Sequence, residues 1–469
     1  MFKHIFNFII ILFLIPNIAH AELPNDFKKL IDQYRFEKSS YAFATQNLSN
    51  NHAPLIIYNG DRLFNSASLV KIISTYIALK DLGPSYQWQS NFYHSGKVEN
   101  GLLNGDLIFK GGADATFSIE DLEKMIRKIQ NKGIKKINGN LILDYSFFGK
   151  MPKEKDFDEN PLRAYNVLPS AITLQSNTIN FKLSTQKNKI KVIADPNINN
   201  MFINENLRIS NGKCGNWKSR LKIITSKKND KNSVKFLGGF SKRCNEKEID
   251  LAILDPSLYF FEVFKDLWNK NGGFFDGSYI KQDREDLSKV HLYTHFSRPL
   301  SELIRDVNKY SLNLMARNLM LTIIKEKNDI KPTEDMVNFY IQTWLKEKGL
   351  LHKGLFIDNG AGLSRKIQIS TNQLLLILQN IYNDPFMPEM IASFPIASID
   401  GTLKNKMKRT KFSRNGHFKT GSLKNVVGIA GFFLSDKKEM KSFVFIMNHE
   451  EAKNAQPFIE DLIDLTFIN

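Results

Sequence analysis

The hydrophobic pattern of this chain changes texture twice, and that double change constrains the fold more than any single residue does. From Ala67 to Leu82, the residues Leu69, Ile72, Ile73, Tyr76, Ile77 and Leu79 fall mostly on one broad helical face, and Gly83-Pro84 ends the run. From about residue 86 to 290 short β-like runs take over, among them Leu107 to Phe109, Gly139 to Leu143, Thr178 to Leu183, Ile190 to Ile193 and Leu221 to Thr225. One clear helix, Ile119 to Asn131, interrupts them. From Arg298 the chain is helical again: Met336, Val337, Tyr340, Ile341, Trp344 and Leu345 share one face of a helix expected over Thr333 to Lys348, with Thr333 as N-cap and Gly349 as stop. Another helix follows Ser370-Thr371. Strands are expected at Gly416 to Lys419, Val426 to Leu434 and Phe443 to Asn448, and a last helix over roughly Ala455 to Leu465. With 469 residues the chain has room for two or three domains.

The N-terminus speaks to the compartment. Lys3 and His4 precede an apolar stretch from Ile5 to Ile15, then a polar break and Ala19-His20-Ala21 before Glu22, the pattern of a secretory signal (residues 1–21) with an A-x-A cleavage site. The stretch is short of the roughly 20 residues a membrane span needs. A mature chain beginning at Glu22, periplasmic or secreted and without a membrane span, is therefore expected. The formal net charge of +17 survives export almost intact, so nucleic acid is a poor candidate partner and anionic envelope polymers are better ones. Cys214 and Cys244 are the only cysteines; in an oxidising compartment a disulfide is the simple reading, and no CxxC or nearby His suggests zinc. His291 and His295 lie four apart on a strand-like run without the glutamate of a zinc protease, so no metal is expected there. No cofactor is expected either: Gly111-Gly112 and Gly360-Ala361-Gly362 lack the spacing of a nucleotide-binding fingerprint. Lys and Asn cluster between Lys213 and Arg243, which reads most simply as a solvated hairpin surface, with a binding patch as the second reading. The run Lys404, Lys406, Lys408, Arg409, Lys411 reads as a solvated loop that could hold the protein near anionic wall or membrane polymers.

Three short motifs carry chemistry. Ser68-Leu69-Val70-Lys71 puts a serine and a lysine three apart at the start of a helix, on one face, so the amine can reach the hydroxyl. A buried lysine near a helix N-terminus has a lowered pKa and can serve as a base. Ser311-Leu312-Asn313 lies in the helical region after the β-rich module. Lys419-Thr420-Gly421-Ser422 lies on a strand, where Gly421 permits close backbone approach while Lys419 and Thr420 offer a charge and a hydroxyl to a carboxylate. Each motif is weak alone, but their order is that of the active-site serine penicillin-recognising enzymes. Roughly 240 positions separate Ser68 from Ser311, about 200 more than a class A β-lactamase would need, and the β-rich module accounts for the surplus.

With these motifs, the segments Asn104-Gly105-Asp106-Leu107 to Gly112-Ala113-Asp114-Ala115-Thr116, Asp358-Asn359-Gly360-Ala361-Gly362-Leu363-Ser364-Arg365 and Asp400-Gly401-Thr402-Leu403 make the whole mature chain resemble the D-alanyl-D-alanine carboxypeptidase/endopeptidases, the low-molecular-mass class C penicillin-binding proteins. The resemblance implies an α+β, penicillin-recognising catalytic domain in two parts, residues 22–85 and 291–469, split by a β-rich insertion of one or two domains at 86–290. It implies hydrolysis of D-Ala-D-Ala or D-Ala-diaminopimelate bonds in peptidoglycan through an acyl-enzyme on Ser68, with β-lactams as covalent inhibitors. Lys71 would be the base, Ser68 and Ser422 N–H groups the oxyanion hole, Ser311 and Lys419 the proton route to the leaving amine, and Asn313 the holder of Lys71 and of the substrate amide. Lys419 and Thr420 would meet the terminal carboxylate. Asp144, Phe148, Arg365 and Lys424 would line the site for the stem peptide.

Two positions depart from the family pattern, Leu312 between the serine and asparagine of the second motif and Ser66 two positions before the nucleophile. Neither removes a catalytic group. A β-lactamase is the nearest enzyme rival, but no deacylation-type glutamate motif follows the first motif. A Tyr-x-Asn esterase pattern fails because Tyr310 is followed two positions on by Leu312. A non-catalytic wall-binding protein on the same fold would have no need of intact Ser68, Lys71, Ser311, Asn313 and Lys419.

Overall fold

The computed structural model describes residues 23–50, 55–151, 157–158, 160–228, 231–284 and 289–468. The expected signal segment and cleavage site lie outside them. The protein is α+β. Its catalytic part is built on a five-stranded antiparallel sheet in the order Gly416–Leu423, Val426–Leu434, Met440–Asn448, Tyr41–Asn47, Ile56–Tyr58, so that the two ends of the chain meet in one sheet. Both faces are covered, which is why Phe443 to Met447 is an unbroken apolar run. Ala42, Ala44, Val444 and Ile446 face the larger helical layer, while Tyr41, Phe43, Phe443 and Phe445 face the terminal helices Asn25–Tyr34 and Gln456–Ile468.

The helical layer holds Val70–Leu82 at its centre, packed against Leu300–Lys309 and Asn313–Asn328, with Thr371–Tyr382 against the sheet. Ten consecutive residues of Val70–Leu82, from Val70 to Leu79, are buried, so this helix is apolar nearly all round rather than amphipathic. Its first turn differs from expectation: Ala67–Leu69 forms a 3-10 turn before the α-helix starts. The helix expected from Thr333 begins at Met336 with Asp335 at the cap; Thr333 contributes its carbonyl to the Met336 N–H and not its hydroxyl to a cap. Gly349, at φ 67°, closes it as expected. Ser370 caps Thr371–Tyr382 through the N–H of Gln373.

The inserted region has its own core. A mixed sheet in the order Tyr279–Gln282, Leu141–Asp144, Leu107–Lys110, Gln89–His94, Val290–Phe296 packs on Ile119–Asn131, started by a Ser118/Asp121 capping box, and on Pro256–Lys270, started by Asp255 with Pro256 in the first turn. Val290–Phe296 pairs with Gln89–His94, so the return to the helical layer comes at Ser297, one strand beyond the expected division at 290. Beyond this sheet lie two three-stranded sheets, Lys189–Asp195, Ile179–Gln186, Glu246–Leu251 and Met201–Ser210, Lys231–Ser241, Leu221–Lys228. Cys214 and Cys244 are joined by a disulfide. The Lys213–Arg243 segment is not a hairpin alone, because Lys231–Ser241 also pairs in parallel with Met201–Ser210. The insertion is seated on Asn313–Asn328: Asn318 Nδ2 donates to the carbonyls of Ala113 and Ser170, and Trp88 Nε1 donates to Thr322 Oγ1 at 2.9 Å.

Candidate active site

The turn that carries Ser68 is held under strain. Ala67, immediately before it, has φ 48°, a left-handed conformation costly for a residue with a Cβ. Asn65 fixes the turn by accepting the Ala67 N–H at 2.9 Å, donating to the Ser364 carbonyl at 2.7 Å and exchanging two hydrogen bonds with Asn448. Two glycines then close on it. A Cβ at Gly421 would lie 2.3 Å from the Ser66 carbonyl oxygen and 3.3 Å from the Ser68 nitrogen, and one at Gly362 would lie 2.2 Å from the Ala67 carbonyl oxygen. The strand Gly416–Leu423 and the Gly360-Ala361-Gly362 loop thus reach the Ser68 turn only because both positions lack side chains.

Lys71 is the centre of the site. It is wholly buried, and burial, with the charge of Lys419 second, holds its amine well below the usual lysine range. Its Nζ lies 2.9 Å from Ser68 Oγ and 2.8 Å from Asn313 Oδ1, and it also bonds the Ala361 carbonyl. A neutral amine has two N–H donors and one lone pair. The Asn313 and Ala361 oxygens can only accept, so they take the two donors, and the lone pair is left for the one partner that can donate, the Ser68 hydroxyl. Asn359 shapes the loop that delivers Ala361, its Oδ1 accepting the N–H groups of Ala361 and Gly362.

Ser311 follows the Leu300–Lys309 helix in a left-handed conformation, φ 59°, and its Oγ accepts from Lys419 Nζ at 3.1 Å. Lys419 is also fully buried; desolvation pulls its amine down to about 7. Lys309, buried just before Ser311, pairs with Asp400 at 2.6 Å and bonds the Phe394 carbonyl. Thr402 Oγ1 lies 2.6 Å from Thr420 Oγ1. The Asp400-Gly401-Thr402-Leu403 segment therefore braces both the Ser311 turn and Thr420.

Ser68, Ser311, Asn313, Arg365, Ser422 and Lys424 line one open cleft of about 670 Å³. Arg365 donates to the Lys424 carbonyl at 2.8 Å, and its guanidinium lies 5.2 Å from the centre of the Phe157 ring. Leu312 and Tyr310 do not line this cleft; both point outward, and Leu312 borders a different groove, so the departure at Leu312 leaves the cleft wall unchanged. Asp144 and Phe148 are not among the residues lining this cleft. Asp144 is fully buried, accepts the Ser146 N–H at 2.8 Å and has Lys289 Nζ 3.9 Å away. Phe148 is buried against Phe147 in the core of the catalytic part, next to Gly149, whose N–H bonds the Pro332 carbonyl.

The far wall of the cleft comes from residues that sequence reasoning missed. Asp158 accepts from the Tyr165 hydroxyl and from Asn166 Nδ2, each at 2.8 Å, and from the Asn160 N–H at 3.0 Å. The Tyr165 carbonyl in turn accepts from Asn313 Nδ2 at 3.1 Å. The insertion thus reaches a motif residue directly.

The D-Ala-D-Ala carboxypeptidase 3 (S13) family matches residues 23–466. The chain belongs to this family. Among curated relatives, this S13 chain is 25% identical over 446 residues to D-alanyl-D-alanine carboxypeptidase DacB of Haemophilus influenzae, covering 93% of this chain and 90% of that one. It is 22% identical over 417 residues to the D-alanyl-D-alanine carboxypeptidase of an Actinomadura species, covering 85% and 75%. In structure it is similar to penicillin binding protein 4 of Haemophilus influenzae, with TM-score 0.79 and 22% identity over 94% of this chain and 99% of that one. That similarity shows the fold: the S13 chain has the penicillin-recognising architecture with the insertion included.

Proposed function

We propose that the protein is a serine-type D-Ala-D-Ala carboxypeptidase and D,D-endopeptidase acting on peptidoglycan stem peptides or cross-links. The observation that carries this reading is the wholly buried Lys71 amine, held well below the usual lysine range by burial, 2.9 Å from Ser68 Oγ with the acceptor oxygens of Asn313 and Ala361 on its other sides. The Ser68 oxygen attacks the carbonyl of the penultimate D-alanine as its proton passes to Lys71. The oxyanion forms between the N–H groups of Ser68 and Ser422. Collapse breaks the C–N bond, and the leaving amine takes the proton that Lys71 received, relayed through Ser311 and Lys419, so that Lys71 is neutral again. Water then attacks the ester as Lys71 accepts its proton, the acyl C–O bond breaks, and Lys71 returns that proton to the Ser68 oxygen, restoring the hydroxyl and the neutral amine. Lys419 and Thr420 hold the terminal carboxylate, and Arg365, Lys424 and the Phe157–Tyr165 wall receive the stem peptide. Asp144 and Phe148, both buried and outside the cleft lining, are not among the groups that receive it. Carboxypeptidase and endopeptidase action share these steps and differ only in what lies beyond the broken bond.

A β-lactam presents the same carbonyl and carboxylate, acylates Ser68 and stays. Residues 86–296 form the insertion, and the protein works outside the cytoplasm, periplasmic or secreted; among the described residues no helix is long and apolar enough to cross a membrane. The test is incubation with a fluorescent penicillin and with muropeptides beside Ser68→Ala. Labelling, D-alanine release or cross-link cleavage by the wild type alone is expected; a wild type that does none of these sinks the proposal.

A further inference from the structure

Residues 201–243 hold eleven Lys and Arg against two acidic residues, Glu205 and Asp230, so a short stretch supplies about half of the chain's net charge of +17. The sheet formed by Met201–Ser210, Lys231–Ser241 and Leu221–Lys228 sorts these charges by face. Val234, Phe236 and Phe240 of the central strand are buried, which puts Lys231 and Lys235 on the outer side. Register carries that side across to Phe202, opposite Ser233, and Arg208, opposite Gly239, on one neighbour, and to Ile224, opposite Lys235, and Lys222, opposite Leu237, on the other. The outer face thus carries four described cations and no carboxylate. Glu205, opposite the buried Phe236, belongs to the inner side, and its carboxylate accepts the Val192 N–H at 2.6 Å. Arg208, Lys222 and Lys235 have no ion-pair partner among the described residues.

Amid these cations two large apolar side chains are open to solvent, Phe202 at 52% and Ile224 at 42% exposure, and they line one shallow depression with Lys235 and, at its edge, Glu205, whose carboxylate is turned to the Val192 N–H. Lys231 Nζ stands 5.4 Å from the centre of the Phe202 ring. The Cys214–Cys244 disulfide ties the loop after the first strand to the turn after the last, which holds the face in shape. A solvated surface needs the charges but not the exposed ring. A chain of sugars with acidic groups answers both, its anions meeting the lysines and its C–H faces meeting Phe202 and Ile224.

We propose that this face is a docking surface for a polyanionic glycan; that such a glycan belongs to the cell envelope rests on the reading of the protein as exported. The surface lies on the insertion, away from Ser68, so it would hold the enzyme on envelope material without entering the reaction. The experiment measures binding of the full mature chain to dextran sulfate, neutral dextran, inorganic polyphosphate and a single-stranded oligonucleotide at physiological ionic strength. Lys222→Glu/Lys235→Glu is compared with Lys404→Glu/Lys408→Glu, which changes the net charge equally at another exposed basic segment, and penicillin labelling of Ser68 reports that each variant is folded. Dextran sulfate is expected to bind more tightly than polyphosphate or the oligonucleotide. The sheet variant is expected to lose at least about tenfold in affinity and the loop variant less than about threefold. Phe202→Ser should lower dextran sulfate binding while sparing polyphosphate. Absence of dextran sulfate binding, equal losses in the two charge variants, or tighter binding of the oligonucleotide or polyphosphate would each overturn the proposal. Unchanged penicillin labelling with lost glycan binding separates it from the catalytic reading, which stands or falls on Ser68.

Discussion

Two sites of the protein, one in each half, treat lysine in opposite ways. In the catalytic part Lys71 and Lys419 have no exposed surface, and burial depresses both amines. On the outer sheet of the insertion Lys222 and Lys231 stand in solvent, and Lys235 is half-buried beside them. The same side chain is suited to serve as a base where its charge is made costly and to hold an anion where its charge is left free. Two ion pairs show the same contrast. Arg317 and Glu334 form a two-pronged pair, both contacts at 2.6 Å, with side chains only 9% and 13% exposed. On the insertion Lys281 and Asp255 pair at 2.9 Å with both side chains half exposed.

The largest consequence falls on Lys71. Arginine in its place keeps a cation but cannot give up its proton. Acylation of Lys71→Arg by a fluorescent penicillin is expected to fall by about a thousandfold, the scale of losing a general base. A fall under tenfold would mean that burial of Lys71 does not serve proton transfer and that the contrast between the two halves is one of packing alone.

Stability should divide the same way. Glu334→Gln leaves the Arg317 guanidinium buried without its countercharge, at a cost of about 3 kcal/mol, whereas Lys281→Gln should cost no more than about 0.5 kcal/mol. Thermal or denaturant unfolding measures both. Equal losses would show that the pair on the insertion is as well shielded as the one beneath Asn313–Asn328.

What could be read from sequence follows from the same physics. Ser68, Lys71, Ser311, Asn313 and Lys419 were legible because acyl transfer fixes the residue types and the helix period fixes the first spacing. The insertion was legible as a change of period from helix to strand, although its last strand, Val290–Phe296, was assigned to the wrong side of the division because its pairing with Gln89–His94 is made about 200 positions away. Parallel pairing of Met201–Ser210 with Lys231–Ser241 leaves no local signal, since parallel neighbours need a crossover and not a turn. Thr333 looked like a cap by residue type, but the helix starts three residues later. The Phe157–Tyr165 wall has no period at all; its one local hint is Asp158 followed by Asn160 and Pro161, a turn signal that says nothing of the cleft.

Lys419 offers a pH test. Desolvation pulls its amine down to about 7, so the cation proposed to receive the substrate carboxylate is present below that pH and is lost above it. The second-order acylation constant, which reports the free enzyme, should therefore fall above about pH 7, by as much as about tenfold per pH unit. Lys419→Arg should be slower throughout but lack that alkaline decline. A wild-type profile flat across neutral pH would mean that the Lys419 charge is not what binds the carboxylate.

The smallest effect tests whether the insertion only scaffolds the site. Asp158 gathers Tyr165, Asn166 and the Asn160 N–H, and so holds the carbonyl that Asn313 Nδ2 donates to. Its carboxyl is held below the usual carboxylate range, desolvation being outweighed by the hydrogen bonds from Tyr165, Asn166 and Asn160. In Asp158→Asn one oxygen becomes an NH₂ that cannot accept, so one of these bonds is lost, and Asn313 loses part of its support while Lys71 still holds its other end. Acylation should slow by about fivefold with stability nearly unchanged, and Asp158→Glu should recover part of the rate. An unchanged rate in Asp158→Asn would confine proton chemistry to the catalytic part; the expected loss would instead make the insertion, through one backbone carbonyl, a positioning partner of the lysine it contrasts with.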